Sequence, residues 1–142
     1  MADSEAGKAA QTHGRILIVE DEEALARHLG SHLQRAGYEV RMEHSGKAGL
    51  VVAAEHWPDL VLLDLVLPDI SGYEVCTELR RLYRPWHLPV LMLTALNSPK
   101  HRLLGFGHGA DAYLTKPVSS GELLRTVETL LSHNVRGLGA GG

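Results

Sequence analysis

The stretch PDLVLLDLVLPDISGYEVC, residues 58–76, decides the fold of this chain. It begins with the apolar run LVLL at 60–63, becomes polar at Asp64 and, after a loop that ends in Gly72, continues as an amphipathic segment. An apolar run of this kind is typical of a strand that is covered on both faces of a parallel sheet. The stretch therefore predicts a buried strand, a loop that carries a carboxylate, and a helix.

Three further apolar runs end in the same way, each directly before a reactive polar residue. In an open parallel sheet, side chains just past the carboxyl ends of the strands converge on one crevice, so residues far apart in sequence can meet there. The convergent set contains three carboxylates, a hydroxyl and an amine. With LVLL included, the four runs are RILIV at 15–19 before Glu20 and Asp21, LVLL at 60–63 before Asp64, VLML at 90–93 before Thr94, and AYLT at 112–115 before Lys116 and Pro117.

The alternation of these runs with amphipathic stretches indicates repeated strand–helix units. Five units with right-handed crossovers predict an α/β fold, in which a doubly wound, five-stranded parallel sheet forms a flavodoxin-like (βα)5 three-layer sandwich with strand order 2-1-3-4-5. The first helix is predicted from Glu22 to Ala36 and ends at Gly37, which suits a left-handed cap. The strands are predicted near residues 15–19, 38–42, 59–63, 89–93 and 111–115.

The other four helices are predicted from apolar stripes and start signals. The third helix should turn Val75, Leu79 and Leu82 inward. On the first helix, His28 and His32 stand four residues apart as a candidate metal pair without an evident third ligand. The start points are residue 46, Ser71-Gly72, Pro99 and Ser119-Ser120.

Length and composition set the limits on function. The 142 residues suffice for one domain, which we expect over 15–133, between a flexible N-terminal arm at 1–14 and a flexible Gly-rich tail or linker start at 134–142. The formal charge of −3 argues against direct nucleic-acid binding. No apolar run reaches membrane-spanning length. The single cysteine, Cys76, suits a reducing cytoplasm.

The clustered carboxylates point to a metal. Glu20, Asp21 and Asp64 would repel one another at one crevice unless a cation lay between them, and hard oxygen ligands favour Mg²⁺, with Mn²⁺ as the alternative. A divalent ion and Lys116 would surround a phosphoryl group with positive charge, and Thr94 could donate a hydrogen bond to it. Asp64 is the best candidate for the nucleophile because it ends the most buried strand.

The chain resembles the receiver domains of bacterial two-component response regulators from about Arg15 to Ser132. Four segments carry the resemblance in the family's order and spacing, which makes it more specific than any single motif. The segments are ILIVEDEE at 16–23, PDLVLLDLVLPDISGYEVC at 58–76, LPVLMLTA at 88–95 and GADAYLTKP at 109–117.

The resemblance implies a role for each candidate residue. Asp64 would be the phosphoacceptor, Thr94 the switch hydroxyl and Lys116 the amine that contacts the phosphate. Tyr113 matches an aromatic switch position whose ring reorients on activation. The resemblance further makes Glu20 and Asp21 the acid pair, the Val66 carbonyl another Mg²⁺ ligand, and the bond before Pro117 a cis peptide.

The resemblance also implies partners. A sensor histidine kinase or phosphotransfer protein would donate the phosphoryl group. The face made by the fourth helix, fifth strand and fifth helix would then control an output domain or partner protein. Arg102 and Glu122 can form one ion pair of the dimer known in the DNA-binding branch, but Ala112 and Thr126 occupy the positions of another, so we expect a monomer or a weak or different dimer.

Other functions remain as alternatives. A flavodoxin-like cofactor carrier would share the sheet but would need a hydroxyl-rich phosphate loop after the first strand, where this chain has four acidic residues. A haloacid dehalogenase-type phosphatase would need a second aspartate at Val66. The chain can also be a stand-alone phosphorelay carrier. We expect a signalling domain that assists its own phosphorylation and dephosphorylation, not an enzyme, and slow phosphoryl loss because Val66 and Leu96 are apolar where polar side chains could align water.

Overall fold

The computed structural model describes residues 13–83 and 87–141, with side chains up to residue 132. Five strands alternate with five helices. The strands are β1 Arg15–Val19, β2 Glu39–Glu43, β3 Leu60–Leu63, β4 Val90–Thr94 and β5 Ala112–Thr115. The helices are α1 Glu23–Arg35, α2 Gly46–His56, α3 Gly72–Leu82, α4 Pro99–Gly107 and α5 Ser120–Gly141.

The strands form one parallel sheet in the order β2-β1-β3-β4-β5, which confirms the predicted fold class and strand order. The register places the ends of neighbouring strands side by side, since Val19 pairs with Leu63 and Thr94 pairs with Thr115. The backbone N–H of Asp64 donates to the carbonyl of Val19 at 3.1 Å. The residues that follow these strands therefore emerge at one edge of the sheet.

Apolar side chains fill both faces of the sheet. Alternate residues of β1, β3 and β4 point to opposite sides, so one layer packs on α2 and α3 and the other on α1 and α5. Every residue of β3 and β4 is buried, as predicted for central strands. Cys76 lies in the first layer, where burial raises the pKa of its thiol to about 11.

Helix boundaries follow from the residues at the ends. The hydroxyls of Ser45, Ser71 and Ser98 each accept a backbone N–H from the first turn of α2, α3 and α4. Helix α1 ends before Gly37, whose φ of +99° is the left-handed conformation that the sequence predicts there.

The predicted inward position of Leu82 is wrong. Leu82 is 45% exposed, and Tyr83 is buried instead, with its hydroxyl donating to the Ala53 carbonyl at 2.6 Å. Tyr83 stands four residues after Leu79, and positions four apart lie on the same helix face. The larger ring takes the core position, which turns Leu82 outward.

The predicted ends of the domain are only partly visible. Residues 1–12 of the predicted arm lie outside the described residues. Helix α5 continues to Gly141, so the backbone is helical where the composition predicts a structureless tail from residue 134. Once a helix has formed, each added residue gains one hydrogen bond, and no proline follows residue 120 to end it. Within the described residues, no helix is both long and apolar enough to cross a membrane.

Candidate functional site

Three carboxylates meet at the carboxyl edge of the sheet. Glu20 and Asp21 follow β1 and Asp64 follows β3, and one oxygen from each lies within 4.8 Å of the other two. Glu20 and Asp64 are buried, at 3% and 6% exposure, whereas Asp21 faces solvent. The three predicted acidic residues are therefore together, with one open side through which a ligand can enter.

Lys116 connects two of these carboxylates. Its Nζ lies 2.7 Å from Glu20 Oε1 and 2.9 Å from Asp64 Oδ2. Its backbone N–H donates to the Thr94 carbonyl at 2.9 Å, which fixes the residue to the end of β4. The peptide between Lys116 and Pro117 is cis, as the resemblance implies. Four strands thus contribute to one site.

Burial and hydrogen bonding compete in setting the pKa values of Glu20 and Lys116, and both values are raised. Burial raises the pKa of Glu20, although the hydrogen bond from Lys116 opposes this shift. For Lys116, burial alone would lower the pKa, but its hydrogen bonds to Glu20 and Asp64 outweigh burial and raise the pKa overall. The ammonium group thus stays charged beside its two partners.

The donor set fits a hard divalent cation. Three carboxylates offer oxygen ligands without any sulfur, which suits Mg²⁺ or Mn²⁺. Val66, the predicted source of a backbone ligand, follows at the rim with its side chain 58% exposed. Its N–H donates to Asp64 Oδ1 at 3.4 Å, and the role of its carbonyl stays a prediction.

Gly72 brings the start of α3 against the loop that carries Asp64, a contact that the sequence prediction missed. The Gly72 N–H donates to the Leu65 carbonyl at 2.9 Å, and a Cβ at Gly72 would overlap the Asp64 carbonyl oxygen. Only glycine allows two backbones to approach so closely. The signal was the Ser71-Gly72 pair, which by sequence alone predicts only a helix start.

The two predicted switch residues, Thr94 and Tyr113, meet at Leu96. Thr94 is 1% exposed, and its hydroxyl accepts the Leu96 N–H at 3.4 Å. Tyr113 is 5% exposed and its hydroxyl donates to the Leu96 carbonyl at 2.5 Å, so its ring points inward in this structure. The loop between β4 and α4 therefore contacts both residues.

Two further contacts at this edge were not anticipated. The ring of His44 donates from Nδ1 to the Glu20 carbonyl at 2.9 Å, because a carbonyl can only accept. The Asp69 carboxylate accepts the N–H groups of Lys47 and Gly46, each at 2.8 Å. These bonds, the one from Lys47 first, lower the pKa of Asp69 to about 2. Short polar residues in loops gave no sequence signal that distinguishes these roles from ordinary turns.

The sequence matches the family described as response regulator receiver domain over residues 16–128. It is 43% identical over 122 residues to the DNA-binding dual master transcriptional regulator RpaA of Synechocystis, an alignment that covers 86% of this chain and 51% of the relative. It is 45% identical over 121 residues to the uncharacterized transcriptional regulatory protein YkoG of Bacillus subtilis, covering 85% and 52%. The chain thus spans about half the length of these curated relatives.

Solved structures show the same fold. A CheY-like response regulator receiver domain protein from Methanospirillum hungatei superposes with a TM-score of 0.82 at 32% identity, covering 87% of this chain and 97% of that one. The BeF3-activated N-terminal receiver domain of Klebsiella pneumoniae RstA gives a TM-score of 0.77 at 32% identity, with 82% and 97% covered. Similarity in sequence and in structure therefore points to one family.

Proposed function

Because this chain belongs to the response regulator receiver domain family, we propose that Asp64 accepts a phosphoryl group from a phosphohistidine on a sensor kinase or phosphotransfer protein, or from a small acyl phosphate. One observation carries the proposal. Asp64 lies at the crevice with Oδ2 2.9 Å from the Lys116 ammonium and within the acidic cluster of Glu20 and Asp21. The cofactor-carrier and phosphatase alternatives are not favoured, because family, relatives and structural neighbours all are response regulators or their receiver domains.

The proposed cofactor is Mg²⁺, with Mn²⁺ as the alternative. The side chains of Glu20, Asp21 and Asp64 and the carbonyl of Val66 would hold it. When bound, the ion supplies positive charge beside the phosphoryl oxygens. Asp64 is the carboxylate best placed as the acceptor, since it follows β3, the central strand of the sheet, and lies within reach of both the acid pair and Lys116.

In the proposed reaction, an Asp64 carboxylate oxygen forms a bond to phosphorus while the bond from phosphorus to the donor nitrogen or oxygen breaks. The donor leaves with that electron pair, and a phosphohistidine thereby returns to imidazole. Lys116 moves its hydrogen bond from Asp64 to a phosphoryl oxygen, which keeps its charge paired. The domain itself assists this transfer and the later hydrolysis, and we assign it a signalling role, not an enzymatic one.

The phosphoryl group would act on the switch residues. It adds acceptor oxygens near Thr94, whose hydroxyl accepts the Leu96 N–H at a long distance of 3.4 Å. Movement of Thr94 would pull the loop before α4, to which the Tyr113 hydroxyl is bonded. The face formed by α4, β5 and α5 would change as a result, and an output domain or partner protein would read it.

The proposal also includes the output domain or partner that this receiver would control. The curated relatives, of which this chain spans about half, are named as transcriptional regulators, so an output domain that binds DNA is the first candidate partner of this receiver. A stand-alone phosphorelay carrier is the second. In either case we propose a cytoplasmic protein in which this chain itself does not contact DNA, consistent with its formal charge of −3.

The test is the intact mass after treatment with Mg²⁺ and a small acyl phosphate. We expect one phosphoryl gain in the wild type and none in Asp64→Ala or Asp64→Asn. Asp69→Asn is the matched control because it changes a carboxylate of the same loop, and it should still gain one group. An equal gain in wild type and Asp64→Ala would contradict the assignment. No gain in any variant, with Mg²⁺ binding also absent, would indicate a receiver that signals by contact alone.

A further inference from the structure

His28 and His32 form a pair on α1 outside the acidic cluster. Residues four apart lie on the same helix face, and here the ring centroids are 4.6 Å apart with the ring planes at 88°. Within the part of the chain that the structure describes, neither ring has a hydrogen bond or an ion pair. His28 is exposed and His32 is half-buried, so solvent and small ions reach both.

The distance between the centroids tests whether both rings can bind one ion. A histidine ring centroid lies close to the Cβ–Cγ axis, so rotation about χ2, which is broad, turns the ring nitrogens but leaves the centroid in place. A metal–nitrogen bond of about 2.0 Å puts a ring centroid about 3.1 Å from the ion. Two rings on one ion then have centroids about 4.4 Å apart at a right angle and about 5.1 Å apart at a tetrahedral angle.

The observed 4.6 Å is closer to the right-angle distance than to the tetrahedral one. We propose that His28 and His32 chelate one divalent transition-metal ion of the Cu²⁺ or Ni²⁺ class, with water in the remaining positions. These ions accept imidazole and adopt tetragonal or octahedral geometries with right angles, whereas Zn²⁺ favours tetrahedral sites. This site is independent of the proposed phosphorylation, since Mg²⁺ prefers oxygen and the acidic cluster offers only carboxylates.

Neighbouring charges set a moderate affinity. Arg27 is paired with Glu23 at 3.8 Å, which offsets its charge. Arg35 follows His32 by three residues and adds positive charge on the same helix. With two protein ligands and this charge nearby, we expect micromolar binding. The chelate would join successive turns of α1, so the ion should stabilise the folded chain in proportion to its occupancy.

The experiment is a calorimetric titration of the full chain with Ni²⁺ in excess Mg²⁺, which keeps the acidic cluster occupied by the harder ion. Wild type should show one micromolar site, and His28→Gln and His32→Gln should each weaken it by about tenfold or more. Gln favours helices, so both variants should keep the helical circular dichroism of the wild type. His56→Gln, an exposed histidine on α2, is the matched control and should bind as the wild type does.

A second readout separates the pair from single histidines. In Cu²⁺ electron paramagnetic resonance, wild type should show two nitrogen ligands and each Gln variant should show one. Ni²⁺ should raise the thermal midpoint of wild type and His56→Gln only. The proposal is overturned if either His28→Gln or His32→Gln keeps wild-type affinity, if the wild type shows only one nitrogen ligand, or if its tightest Ni²⁺ site is millimolar.

Discussion

The guanidinium of Arg102 covers the ring of Tyr113, with Cζ 5.0 Å from the ring centroid. The same group donates to the Tyr113 carbonyl at 3.3 Å and to Thr115 Oγ1 at 3.0 Å. One side chain of α4 therefore braces β5 at the residue that we propose as the aromatic switch. Arg102 is engaged within its own chain here, and the weak or different dimer expected from the sequence stays a prediction.

Removing this brace should loosen Tyr113. A cation over an aromatic ring contributes about 0.5–1 kcal/mol at an exposed site, which corresponds to about a two- to fivefold change in a population ratio. We expect Arg102→Met to lower the ratio of inward to outward Tyr113 rings by that factor, read from the ¹⁹F signal of fluorotyrosine at position 113. Arg102→Lys should retain part of the effect. Lys100→Met removes a charge from the same helix, and a shift as large as that of Arg102→Met would disprove the brace.

Lys116 should oppose metal binding while it stabilises the metal-free protein. Lys116→Met leaves Glu20 and Asp64 without their shared donor, and unpaired buried acceptors cost about 1–3 kcal/mol. We expect the free energy of unfolding without Mg²⁺ to fall by that amount, measured in urea. The affinity for Mg²⁺ should rise, because a positive charge has left the cluster. Unchanged or weaker Mg²⁺ binding would contradict this, and Lys100→Met is the control.

The convergence of Glu20, Asp21, Asp64 and Lys116 could be predicted from sequence because it follows from strand ends alone. Apolar runs locate the ends, and a parallel sheet brings those ends to one edge. The grouping of the residues that follow these ends can then be predicted without knowing any side-chain contact. This explains why the grouping of these four residues could be predicted.

Side-chain contacts between elements could not be predicted in the same way. Periodicity placed Leu82 on the inner stripe, but Tyr83 at the next position also fits that stripe. Tyr83 is the residue that packs in the core, and Leu82 is exposed. The bond from His44 to the Glu20 carbonyl depends on a loop path, and a loop path has no periodic signal. The bond from Arg102 to Thr115 was likewise not anticipated, because sequence does not show that the guanidinium reaches β5.

Gly72 should be intolerant of alanine. Alanine normally stabilises a helix relative to glycine by up to about 1 kcal/mol. At Gly72 the added methyl would overlap the Asp64 carbonyl, so we expect Gly72→Ala to lower the free energy of unfolding by about 1–3 kcal/mol. Phosphorylation of Asp64 should slow as well. At Gly107 on α4 a Cβ meets nothing within 4 Å, so Gly107→Ala should be neutral or stabilising. Equal effects from both would show that the close approach is unimportant.

Asp69 should contribute stability that acid removes. Its folded pKa of about 2 lies below the unfolded value of 3.8, so the carboxylate favours the folded state above the unfolded pKa. This contribution is fully present above about pH 5 and is lost as the pH falls through the folded pKa. Urea unfolding should therefore give Asp69→Ala a lower free energy of unfolding than wild type at neutral pH. This difference in free energy should narrow between about pH 4 and pH 2. If the difference in free energy does not change with pH, the carboxylate charge has no part in holding the start of α2.

Phosphoryl loss from Asp64 should be slow because the rim next to the site is apolar. Hydrolysis needs a water held in line with the phosphorus, and a polar side chain at the rim can orient it. Val66, 58% exposed and two residues after Asp64, cannot do so. Without a phosphatase, we expect a half-life of many minutes in the wild type and one several-fold shorter in Val66→Asn, followed by intact mass. Val51→Asn is the matched control, since Val51 is a valine of similar exposure on α2, and it should leave the half-life unchanged. A wild-type half-life of seconds, or equal acceleration by both substitutions, would show that Val66 does not limit the reaction.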